Sequence, residues 1–161
     1  MYVQQEFSNQ EELAEVAGGI PGEVGSIINW RLSAYVYPNK LGRVFMSQTD
    51  FELPGVGKRQ PDVAFVTLER LPVNVRDAVP LAPDLAIEVV SKSDGSYDID
   101  DKVDDYLRAG VRLVWVVRPI RRVVEVYHQG DALPLLLKPE DELSGEDVIP
   151  GFKLKVSELF V

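Results

Sequence analysis

Apolar and polar positions fall into a strand–helix–strand pattern between Pro83 and Pro119. Leu85-Ala86-Ile87-Glu88-Val89-Val90 is an apolar run bounded by Pro83 and by the polar Ser91–Ser96 loop, which predicts a buried strand. Alternation puts Leu85, Ile87 and Val89 on one face and Ala86, Glu88 and Val90 on the other. Glu88 is the anomaly, because a carboxylate inside a buried strand needs a cation, a metal or a hydrogen-bonding partner. From Asp98 the period changes. Val103, Tyr106 and Leu107 form a helical apolar stripe, and Gly110 stands where a left-handed C-terminal cap belongs. Leu113 to Val117 reads as a second buried strand, stopped by Pro119. Strand, helix and strand in this order make the parallel crossover unit, which is right-handed. Lys102 falls near the predicted helix start, against the preference for acidic residues there.

Upstream, Ser8-Asn9-Gln10-Glu11 has the capping-box pattern and predicts a short helix from Asn9 to Ala17, ended by Gly18 and Gly19. Pro21 suits a first helical position, and Val24, Ile27, Ile28 and Leu32 carry a second helix to about Tyr35. Pro38 to Gly42 is a turn. Val44–Met46 and Asp50–Leu53 read as short strands, with Pro54–Gly57 as a hairpin tip. Gln60-Pro61-Asp62 leads into a core strand, Val63–Val66, and Thr67–Pro83 is a long polar connection. Val123–His128 and Leu133–Leu137 flank a hairpin signal at Gln129-Gly130-Asp131, and a final turn falls at Ser157–Phe160. The expected organisation over residues 1–161 is one domain: N-terminal helices over about 9–36, a core over about 44–128, and a C-terminal hairpin and tail over 129–161.

Composition narrows the function classes. The 161 residues include no cysteine, which excludes disulfides and thiolate metal sites. No apolar run approaches a membrane span and the first residues do not form a signal peptide, so the expectation is a cytoplasmic protein with no membrane partner. With 26 acids against 17 bases and a net charge of −9, the chain does not coat nucleic acid by bulk charge. The charge is uneven, however. Lys102, Arg108, Arg112, Arg118, Arg121 and Arg122 are set against only Asp104 and Asp105 between residues 102 and 122. That stretch is either a mixed solvated surface or a nucleic-acid patch.

Asp62 opens one strand, Glu88 sits inside the next, and Lys102 lies on the following helix. Two carboxylates and a lysine are the minimal parts for metal-assisted phosphodiester hydrolysis. Carboxylates hold Mg²⁺ or Mn²⁺ through hard oxygens, the metal activates water, and the lysine steadies negative charge.

The residues that carry these parts resemble a known family. They are Gln60-Pro61-Asp62-Val63, Ile87-Glu88-Val89-Val90-Ser91, Asp98 with Lys102 and Tyr106, Ala109-Gly110-Val111 and Val114-Trp115-Val116-Val117. With the ending Leu143-Ser144-Gly145, Val148-Ile149-Pro150-Gly151-Phe152 and Leu159-Phe160, they are similar to the Uma-type "putative restriction endonuclease" family of the PD-(D/E)XK nuclease-like superfamily. The resemblance covers roughly residues 24–161. It implies an α/β (α+β) restriction-endonuclease-like fold, a central mixed β-sheet flanked by helices. It implies a Mg²⁺- or Mn²⁺-dependent DNA endonuclease with Asp62, Glu88 and the Val89 carbonyl on the metal. Lys102 would replace the strand lysine, since Val90 stands at that position. Superfamily analogy adds a homodimer on DNA. Three departures stand beside it. The tyrosine–glutamate–leucine strand and glycine hairpin usual before the first long helix are missing. Val24 takes the place of a common histidine, with Glu23 beside it as a substitute acid. Lys92 replaces a customary proline.

Other readings attach to the same residues. Asp62 can brace a turn after Pro61, Glu88 can pair with Arg59, and Lys102 can pair with Asp98 at i, i+4. Tyr106 and Trp115 read as core aromatics, and His128 as a solvated strand-end residue. Lys92 matches the strand parity of Glu88, but four strand residues would set it about 13 Å away and the loop begins at Ser91, so Lys102 is expected to be the acting lysine. At the level of function, the alternatives to the endonuclease are a catalytically weak or inactive binding or assembly module, and a hydrolase of smaller phosphate esters.

Overall fold

The computed structural model describes residues 18–71 and 74–161. The helix expected over Asn9–Ala17 lies outside the described residues. Among the described residues two helices and ten strands follow one another as α1 (Gly19–Val36), β1 (Gly42–Met46), β2 (Phe51–Leu53), β3 (Gly57–Arg59), β4 (Val63–Thr67), β5 (Leu85–Val89), α2 (Ser96–Arg108), β6 (Leu113–Arg118), β7 (Val123–His128), β8 (Leu135–Leu137), β9 (Glu142–Ser144) and β10 (Lys153–Lys155).

Among the described residues the main sheet has six strands in the order β1-β4-β5-β6-β7-β8. β5 and β6 pair in parallel, with Leu85 opposite Leu113 and Glu88 opposite Val116, and the other four pairings are antiparallel. The mixed sheet flanked by helices is therefore present. β5 and the first five residues of β6 are buried throughout, as a parallel pair covered on both faces must be.

The two faces of the sheet make two cores. α1 buries Val24, Ile28, Leu32 and Val36 against Leu85, Ile87, Val89, Trp115 and Val117. α2 buries Ile99, Val103 and Tyr106 against Ala86, Val114 and Val116. Leu107, placed on the stripe by sequence, is only half-buried, and Ile99 takes its share. The strand parity holds: Glu88 faces α2 with Ala86.

Two helix starts differ from expectation. α1 begins at Gly19, so Gly19 belongs to this helix and Pro21 is its third residue. α2 begins at Ser96, because the Asp98 carboxylate accepts the Gly95 N–H at 3.3 Å and closes the first turn. Lys102 therefore lies in the second turn, clear of the dipole field at the helix start. The far end of α2 closes as expected. Gly110 has φ +98°, and the Val111 N–H returns to the Tyr106 carbonyl at 3.0 Å.

The long connection after β4 carries structure of its own among the described residues. It contains a 3-10 turn at Leu68–Arg70 and a bridge from Val79 to Phe51. It ends at the buried Asp84, which accepts the Thr67 N–H at 2.8 Å and pairs with Arg70 at 3.1 Å and Arg112 at 3.3 Å. This brace fixes the start of β5. β9 and β10 form a small hairpin that sequence periodicity did not reveal. Among the described residues β1 and β8 are the free edges of the main sheet. β8 carries Leu135 and Leu136 in the open, close in sequence to the exposed Leu133.

Candidate active site

β4 and β5 run antiparallel with Val63 opposite Ile87, so Asp62, just before β4, meets the C-terminal end of β5. There the Val89 N–H donates to Asp62 Oδ2 at 2.7 Å. In an extended residue N–H and C=O point to the same strand edge, so the Val89 carbonyl also faces the Asp62 side. Asp62 thus does more than brace a turn: it ties two strands together and offers its other oxygen to the cleft.

Glu88 is 3% exposed. Its Oε1 accepts the Tyr106 hydroxyl at 2.6 Å, and its Oε2 lies 3.6 Å from Lys102 Nζ. Tyr106 and Lys102 are one helical turn apart on α2, so a single helix face supplies both partners. Burial pushes the Glu88 carboxyl up to about 7, and the negative charges of Asp62 and Asp94 push the same way. Lys102 and the Tyr106 hydrogen bond oppose that rise. Burial also raises the Asp62 carboxyl, against the Val89 N–H and Lys102. Burial and the adjacent Glu88 push the Tyr106 hydroxyl far up, so it remains a donor.

Asp94 joins the group without having been singled out from sequence. It accepts the Ser91 N–H at 2.8 Å and stands 3.9 Å from Lys102 Nζ. The legible signal was the Ser-x-x-Asp spacing of a tight loop directly after β5. Asp62, Glu88, Asp94 and Lys102 all line one cleft of about 1060 Å³ between α1, the end of β1 and the end of β5.

Other candidates fall elsewhere. Asp98 closes the first turn of α2 and does not bind Lys102, whose acidic partners are Glu88 and Asp94. Lys92 sits in the turn after β5, exposed and outside the lining of this cleft. Glu23 is exposed on α1 and does not line it either, whereas Gly22, Gly25 and Ser26 do. Arg59 pairs with Asp105, its Nε donating at 2.8 Å, and leaves Glu88 to Tyr106 and Lys102. His128 is held by Glu146 at 2.8 Å and Asp131 at 3.2 Å, which raises its pKa, the Glu146 hydrogen bond contributing most.

The donor set can be tested against a divalent ion. Three carboxylates face one ammonium, and the Glu88 carboxyl resists ionisation chiefly because it is buried, with the neighbouring Asp62 charge adding to the effect. Two hard-oxygen donors held rigid, with free lone pairs and a strand-end carbonyl beside them, fit Mg²⁺ or Mn²⁺. No group of three or more His, Cys, Asp or Glu side chains suited to a metal occurs among the described residues, so the remaining ligands would be the carbonyl and water.

A family model described as "Uma2: Putative restriction endonuclease" matches residues 3–157. Among solved structures, one of a "putative nuclease belonging to DUF820" from Anabaena variabilis ATCC 29413 is similar, with a TM-score of 0.81 at 19% identity. The match covers 89% of this chain and 81% of that one, and it shows the shared fold. No curated protein matches the chain.

Proposed function

The chain belongs to the Uma2 family, described as "Putative restriction endonuclease", and from that premise we propose that it is a metal-dependent endonuclease hydrolysing DNA phosphodiester bonds. The observation that carries the reading is the convergence of Asp62, Glu88 and Lys102 at one cleft.

Asp62, Glu88 and the Val89 carbonyl would hold Mg²⁺ or Mn²⁺, which when bound supplies charge neutralisation at the phosphate and a lowered pKa for water. The chain's own groups do the rest. Tyr106 pins one oxygen of Glu88, and the Val89 N–H pins one oxygen of Asp62, so both carboxylates are oriented before substrate arrives. Lys102, held between Glu88 and Asp94, places a positive charge where negative charge develops on the phosphate oxygens. Cutting both strands of a duplex needs two such centres, which a homodimer would provide.

A second reading, a binding module without turnover, draws on the absence of a third acidic ligand among the described residues. Nicking of supercoiled plasmid with Mg²⁺ or Mn²⁺ separates the two. We expect nicked product from the wild type and none from Glu88→Gln. Mn²⁺ binding without product would favour the module, and neither binding nor product would overturn both readings.

A further inference from the structure

The cleft that holds the carboxylates is poorly built for tracking a phosphate backbone. Among its described lining residues Lys102 is the one cation, set against Asp62, Glu88 and Asp94. A duplex carries one charge about every 1.7 Å along its axis, and proteins that grip it release counterions through many lysines and arginines. A chain of net charge −9 with one lining cation lacks that source of affinity.

What the cleft offers instead is an aromatic surface. Trp30 lines it and is 63% exposed, off the buried stripe Val24, Ile28, Leu32 and Val36 of the same helix. Met46, 66% exposed, and the amides of Asn29 and Gln48 line the same cleft. The Arg31 guanidinium lies 5.6 Å from the Trp30 ring centroid and is anchored to Glu158 Oε1 at 2.7 Å. A large indole left in water next to acidic chemistry, with a polarisable thioether and neutral hydrogen-bonding groups nearby, matches the face and edge of a nucleobase.

Building on the nuclease reading, we infer that Trp30 is the stacking platform for an unpaired DNA base beside the scissile phosphodiester, so that single-stranded or locally unpaired DNA is the preferred substrate. Stacking on an aromatic side chain does not depend on net charge, which is why an acidic protein can use it. Bases inside an intact duplex are already stacked and do not present that face.

The test uses the chain's two tryptophans, of which Trp115 is fully buried. Oligonucleotide binding to Glu88→Gln, which removes one of the three cleft carboxylates and is expected to block turnover, is followed by Trp30 fluorescence and by anisotropy of labelled DNA. We expect single strands to quench the indole and to bind about tenfold more tightly than the matching duplex. Trp30→Ala in the same background should lose roughly tenfold in single-strand affinity, Trp30→Phe should recover most of it, and both should keep the parent's melting temperature. Equal affinity for duplex and single strand, or unchanged single-strand binding in Trp30→Ala, would overturn the inference. The nuclease reading is judged separately by plasmid nicking. A wild type that cuts while Trp30→Ala binds normally sinks only the inference, and one that binds single strands through Trp30 but cuts nothing sinks only the nuclease reading.

Discussion

The Tyr106 hydroxyl donates to Glu88 Oε1 at 2.6 Å from the buried face of α2. The bond favours the charged form of Glu88 and so works against the burial that raises its carboxyl. Tyr106→Phe removes the donor and leaves the ring. We expect the pH at which Mn²⁺ binding is half-developed to move upward, with the protein still folded, as measured by metal titration across pH. An unchanged profile would show that Glu88 is oriented by other contacts.

Glu88 also links stability to pH. Its folded value of about 7 lies above its ordinary 4.5, so the folded chain holds this proton more tightly than the unfolded chain does. The resulting stabilisation is full below 4.5 and is lost as pH rises through about 7, a loss of roughly 3 kcal/mol in the metal-free protein. Glu88→Gln escapes that loss. At about pH 8 without metal it should melt about 5 °C or more above the wild type, and near pH 4 the gap should close. Thermal melts at both pH values check the sign.

Lys102 is 3.6 Å from Glu88 Oε2, whereas Lys92 lies in a turn outside the cleft. Lys102→Met should lower cleavage about 100-fold or more while the far-UV spectrum is unchanged. Lys92→Met should have a small effect. Nicking rates of the two variants decide the assignment, and an inactive Lys92→Met beside an active Lys102→Met would reverse it.

Gly42 opens β1 against β4, where Thr67 is its partner. A Cβ there would overlap the Val66 carbonyl and come within 2.8 Å of the Phe65 ring. Gly42→Ala should cost about 2–3 kcal/mol, because backbone cannot step aside as a flexible side chain can. Urea denaturation measures it, and a loss below about 0.5 kcal/mol would mean that the strand pair shifts freely.

Sequence pattern was most informative where burial is continuous. The runs Leu85–Val89 and Leu113–Val117 and the helix between them were legible because both sheet faces are covered and every position there is apolar or conspicuous. Glu88 stood out for that reason. β9 and β10 were not legible, since three-residue strands contain too few positions to show a period. Glu23 and Lys92 lie on the helix and in the loop where the pattern put them, but a linear pattern does not show which side chains reach the cleft. Trp30 escaped notice because its importance comes from proximity to the cleft, which no single stretch encodes, and the Ser-x-x-Asp spacing marked Asp94 as a turn residue without showing that it faces Lys102.

The β8 edge has a consequence for handling the protein in solution. Leu135 and Leu136 stand 54% and 52% exposed on a strand that has no outer neighbour among the described residues, and Leu133 close by in sequence is 81% exposed. Such an edge invites pairing with another copy. The net charge of −9 holds copies apart only over the screening length, about 10 Å at 0.1 M salt and about 3 Å at 1 M. Light scattering should therefore rise with ionic strength while the chain stays folded, and a Leu135→Lys, Leu136→Glu variant should remain dispersed in the same high-salt buffers.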